Sequence, residues 1–82
     1  MKGYVIKWRY DECYERPIFG IWQVPASCVK DFDVIDMHKN ADYLALPFSY
    51  IEVHIIARNK DNAISKFAEK FHIPIKGNVP WK

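Results

Sequence analysis

Three glycines, two cysteines and no Asn-x-Ser/Thr sequon in 82 residues mark what this sequence does without. The glycines Gly3, Gly20 and Gly77 stand apart. No glycine-rich loop leads into a helix to cradle a phosphate. Cys13, Cys28, His38 and His54 are separated by fourteen, nine and fifteen residues. None of the short spacings that place two metal ligands on one turn is present. No metal or other cofactor is therefore expected. Two cysteines do not make a disulfide framework either. Cys13 lies among Asp11, Glu12 and Glu15, a setting that raises a thiol pKa and disfavours a nucleophile.

Long apolar runs are also missing. In the N-terminal MKGYVIKWR, Lys7 and Arg9 interrupt what would be a signal peptide's core. The apolar stretch from Tyr43 to Ile51 is broken by Pro47 and is too short to cross a bilayer. We expect a reduced, cytoplasmic protein with no membrane partner. The net charge of +2 is slight, and its distribution is uneven. Residues 1–49 hold six Lys/Arg against seven Asp/Glu, and residues 50–82 hold six against three. The C-terminal part is mildly basic, short of the footprint of a dedicated DNA binder.

What is abundant is aromatic surface: three Trp, five Tyr and five Phe. Each ring carries about 150–250 Å², so a domain this small has few layers in which to hide them. With no repeat or linker composition, residues 1–82 are read as one domain, with an extended tail over 74–82.

Tyr4 to Tyr10 alternate, with Tyr4, Ile6, Trp8 and Tyr10 on one face and Val5, Lys7 and Arg9 on the other. That is a strand. The polar stretch 11–17 reads as a hairpin connection. Ile18 to Val24 form a second strand whose faces, Ile18/Gly20/Trp22/Val24 and Phe19/Ile21/Gln23, are both largely apolar. This predicts a central strand. In the middle, Val29, Phe32 and Ile35 fit a short helix. The same stretch also fits an irregular edge strand with Phe32 and Val34 opposite Asp31 and Asp33. Asn40 to Asp42 read as a turn, and the piece after it as extended up to Pro47.

Tyr50 to Arg58 form a strand with Ile51, Val53, Ile55 and Ala57 inward. Asn59 or Asp61 then caps a helix. Its apolar stripe is Ile64, Phe67, Ala68 and Phe71, with Lys70 and His72 in the last turn and Pro74 as the stop. The fold class is α+β: a small antiparallel sheet of three to four strands with the C-terminal helix packed on one face (ββ-irregular-βα).

One helix covers one face of such a sheet, yet apolar residues project from both. Something else must cover the second face, and exposed apolar patches mark contact sites. The sequence thus points to a non-enzymatic protein-binding module: an inhibitor, a modulator of a larger complex (of the kind phages and mobile elements encode) or a homodimer. Its expected contact residues are Lys7, Arg9, Phe19, Ile21, Asp31, Asp33, Asp36, His54, Arg58 and Trp81, with Ile18 and Trp22 as the alternative to Phe19 and Ile21 on the open face. The acidic 31–36 segment is expected as a loop. The alternative is weak binding of single-stranded nucleic acid, with Trp8, Arg9, His54 and Arg58 supplying the ring and cations.

Overall fold

A computed structural model describes residues 1–11, 16–39 and 48–73, with backbone alone at 11, 16, 17 and 48. The elements are β1 (Lys2–Asp11), β2 (Arg16–Val24), a single 3₁₀ turn (Ala26–Cys28), β3 (Asp33–Lys39), β4 (Phe48–Ala57) and α1 (Lys60–Phe71). The four strands form one antiparallel sheet in the order β2-β1-β4-β3. The α+β reading with a C-terminal helix is the architecture observed. The expected 11–17 connection is shorter than read, since Asp11 lies in β1 and Arg16 and Pro17 in β2. Its 12–15 part, the turn at 40–42, the extended piece to Pro47 and the 74–82 tail with Trp81 fall outside the described residues.

The alternation in β1 and β4 sets the core. Tyr4, Ile6 and Trp8 from β1 meet Ile51, Val53, Ile55 and Ala57 from β4, all buried. Successive strand residues point to opposite sides, so these seven share one face. The helix lies over that face. Phe67 is fully buried and its ring meets Phe19 of β2 edge-on at 5.5 Å. The buried side of α1 is centred on Ala63 and Phe67, with Ile64 and Phe71 half-buried beside them. The centre of the stripe is thus shifted toward Ala63 from the expected set.

Both ends of the helix are closed by local hydrogen bonds. Asn59 Oδ1 accepts from the Asn62 N–H at 2.8 Å, so of the two caps that the sequence offers, Asn59 and Asp61, the first is used. At the other end His72 takes the left-handed conformation (φ 56°) where glycine is usual. Its N–H donates to the Ala68 carbonyl, and the N–H of Ile73 reaches the same oxygen. Ile73 is thereby turned into the core.

Two expectations are corrected. β2 is an edge strand, not a central one. It contains Pro17, which has no N–H to give a second neighbour, and prolines in sheets belong at edges. The segment at 33–39 is a strand rather than a helix or loop, with register shifts between Val34 and Asp36 and between His38 and Lys39. The irregular-edge-strand reading is the one observed.

Because β2 and β3 occupy opposite edges, the chain must cross β1 and β4 between them. It crosses at one end of the sheet, where Gly3 pairs with Val24 and Ile56. A Cβ on Gly3 would stand 2.8 Å from Val29 Cγ2, 3.0 Å from the Val24 oxygen and 3.1 Å from the Pro25 oxygen. The turn that follows is pinned. Asp31 Oδ1 accepts from the Ile56 N–H at 2.9 Å, and both its oxygens lie 3.3 Å from Lys66 Nζ. Lys66 Nζ also donates to the Ile56 carbonyl. Phe32 adopts φ 57°, a strained conformation for an aromatic residue. Its ring reaches the helix side, 6.4 Å from Phe71 and beneath the ammonium groups of Lys66 and Lys70.

Two stability outcomes follow from this crossing. Gly3→Ala should destabilise by about 1–3 kcal/mol, because backbone oxygens cannot move aside as a side chain can. Asp31→Ala should cost about 1–2 kcal/mol through the lost charge-assisted bonds, discounted for their partial exposure. Urea denaturation measures both. A Gly3→Ala protein as stable as the parent would show that the crossing is loose.

Candidate functional site

The face away from the helix is a grid. Trp22, Val5, His54 and Asp33 form one cross-strand row, Gly20, Lys7, Glu52 and Asp36 the next, and Ile18, Arg9, Tyr50 and His38 a third. A fourth, Val24, Gly3 and Ile56, lies at the end where Val29 approaches Gly3. Among the described residues, nothing is packed over the other three rows as the helix is over the core face.

Among the described side chains of the three open rows, charge is sorted by strand. Lys7 and Arg9 are both on β1, whereas Glu52, Asp33 and Asp36 are on β4 and β3. The sorted charges are linked at the seam. Lys7 Nζ lies 3.8 Å from Glu52 Oε1 and 5.6 Å from the centre of the Trp22 ring. The Tyr50 hydroxyl donates to Glu52 Oε1 at 3.2 Å. The Tyr50 ring meets His38 edge-on at 5.5 Å, and His38 Nε2 lies 3.4 Å from Asp36 Oδ2. This chain of contacts runs from one sheet edge to the other.

Gly20 shapes the β2 side. A Cβ there would come within 2.8 Å of Trp22 Cη2, so the indole lies over the glycine. Trp22 is nevertheless 44% exposed, the most exposed of the described Phe, Tyr and Trp side chains. Lys7, Arg9, Ile18, Gly20, Trp22 and Tyr50 enclose a depression of about 290 Å³ with a mostly apolar lining. A second hollow of about 490 Å³, more polar, adjoins it across Arg9 and Tyr50 and reaches Asp36 and His38.

No family model, no curated protein and no solved structure matches this chain. The site is therefore read from its own chemistry.

The structure brings Lys7, Arg9, Asp33, Asp36 and His54 onto this one face. It separates the others. Phe19 and Ile21 are corrected as exposed contacts: both are buried on the helix side, because the hairpin register puts Ile18, Gly20 and Trp22 on the open side instead, although Phe19 still borders the depression from below. Trp8, the ring of the nucleic-acid reading, is 2% exposed and has no face to offer a base. Asp31 is the clamp of the crossing rather than part of an acidic loop. Arg58 lies past β4, where its N–H donates to Asn62 Oδ1 at 3.1 Å. Gly20, Tyr50 and Glu52, which are not among the expected contacts, line or border the depression together with Trp22 of the alternative Ile18/Trp22 set. The signal was available: a glycine two positions before a tryptophan on one strand face leaves room for the ring.

Burial raises the Tyr50 pKa above its ordinary value, and the hydrogen bond and negative charge of Glu52 add to it, with Asp36 contributing more distantly. The phenol therefore stays neutral in the folded chain at a pH where the unfolded chain ionises. The stability this supplies is complete below the unfolded pKa near 10 and is lost as pH rises through the folded value. A difference ultraviolet titration against Tyr50→Phe should place the Tyr50 midpoint above 10. Glu52→Gln should lower that midpoint. An unchanged midpoint in Glu52→Gln would separate the two side chains electrostatically.

Proposed function

We propose that this chain is a non-enzymatic protein-binding module that docks its partner on the open sheet face, with the depression around Gly20 and Trp22 as the anchor site. The observation that carries the reading is an exposed indole held in place by Lys7 over a glycine, beside an apolar hollow rimmed with charge. Tryptophan dominates the energetics of protein contacts, and central anchors in apolar pockets with charged rims are their usual form. A module that works by occupying a surface in this way acts as an inhibitor or modulator of what it binds. The exposed, unpaired thiol of Cys28 supports a reducing, cytoplasmic setting.

The single-stranded nucleic-acid reading is weaker on this geometry. Lys7, Arg9 and Trp22 are adjacent, as a stacking platform requires. But three carboxylates share the rows with those two cations, and a phosphate backbone laid across the sheet would meet them.

The test is a photoreactive phenylalanine analogue at position 22, with the same residue at the exposed helix position Ser65 as control. Position 22 should crosslink a protein saturably, and Gly20→Ala should suppress the product by displacing the ring and filling the hollow. Trp22→Ala should weaken binding by roughly 30-fold, about 2 kcal/mol. Equal products from both positions, or none, would overturn the reading. An oligonucleotide adduct whose yield falls steeply with salt would replace it with the nucleic-acid one.

A further inference from the structure

We infer that the occupant of the open face is a second copy of this chain, stacked face to face about a two-fold axis that runs parallel to the strands between β1 and β4. This rests on the open-face reading above and names its partner. The layout of charge selects the arrangement. A two-fold axis of this kind carries each strand over the one at the mirrored position in the other sheet. β1 then lies over β4 of the second copy, and β2 over its β3.

The cations of β1 and the indole of β2 thereby face the carboxylates of β4 and β3. Row for row, Lys7 faces Glu52 of the second copy, and Asp36 of the second copy comes down on the Trp22 ring that covers Gly20, beside Lys7 and Arg9. By symmetry every such contact occurs twice. An axis across the strands would do the opposite. It would set β1 on β1 and β3 on β3, cations against cations and acids against acids. Sheets stack about 10 Å apart with their strands within about 30° of each other, and the strand-parallel axis meets that geometry.

The size of the face sets the strength. Four strands spaced about 4.8 Å apart and about eight residues long present roughly 500 Å² in projection. Side-chain relief adds to this, but the total stays below the about 800 Å² per partner of standard stable complexes. The dimer is therefore of the weak, reversible class, formed at micromolar concentration and above.

Sedimentation equilibrium from about 1 to about 500 µM spans that class. The wild-type chain should move from single toward double mass across this range and should dissociate as salt is raised. Two charge-reversed variants decide the geometry. Lys7→Glu with Arg9→Glu makes both halves of the face acidic, and Glu52→Lys with Asp36→Lys makes both basic. Each should stay monomeric alone with an unchanged circular dichroism spectrum. An equimolar mixture should form a one-to-one pair at least tenfold tighter than either variant with itself.

A wild-type chain that remains single throughout overturns the second-copy inference. So do variants that still self-associate, or a mixture that does not pair. The open-face reading fails separately: a monomer whose position 22 crosslinks a different protein keeps that reading and loses this one.

Discussion

The path from β2 to β3 governs this molecule, and one carboxylate holds it in place. The two strands sit at opposite edges of the sheet, so the intervening residues must pass over or around β1 and β4. They go around the end. Asp31 anchors them to the Ile56 N–H and to Lys66 of the helix, and the bare backbone of Gly3 lets Val29 draw close. Had the chain crossed the middle of the sheet, it would have covered Lys7, Glu52 and Tyr50. Routed as it is, it leaves three rows of side chains without a layer above them among the described residues. Phe32 accepts a left-handed backbone as part of that route, and its ring recovers contact with Phe71 and two lysines.

The exposed rows are not a uniform surface. Their apolar content is concentrated on β2, their positive charge on β1 and their negative charge on β4 and β3. The Lys7–Glu52 pair sits on the seam between the two halves, half-exposed on the lysine side, and such pairs contribute little to folding. Their effect is on recognition: opposed fields decide which surface can approach and in which orientation. A face that is half one sign and half the other is complementary to its own rotated image.

Much of the fold was legible because periodicity is strong where one face is fully buried. β4 with its four inward residues and α1 with its Asn59 cap fall where the pattern puts them. The departures have physical causes. Apolar residues on both sides of β2 suggested burial on both sides, but Pro17 in the same strand is an edge signal that outweighs it. The choice between Phe19/Ile21 and Ile18/Trp22 for the open side depends on hairpin register, and a one-residue slip exchanges the faces. Asp31, Asp33 and Asp36 are neighbours in sequence, yet a turn ends between the first two. Asp31 then serves the clamp while the others join the strand. The depression was not legible as a list of conspicuous residues, because its floor is an absence of side chain at Gly20.

The irregularity of β3 has a consequence for how this protein behaves when crowded. A straight, unpaired strand invites another strand to hydrogen-bond alongside it, and a sheet that grows in this way becomes a fibre. In β3 the register shifts twice, and the Met37 N–H is already taken by the Asp36 carboxylate. The β2 border carries Pro17, a position with no hydrogen to donate. Both flanks are thus poor templates for lateral growth, so the chain can keep exposed apolar side chains on its broad side without the sheet extending itself indefinitely.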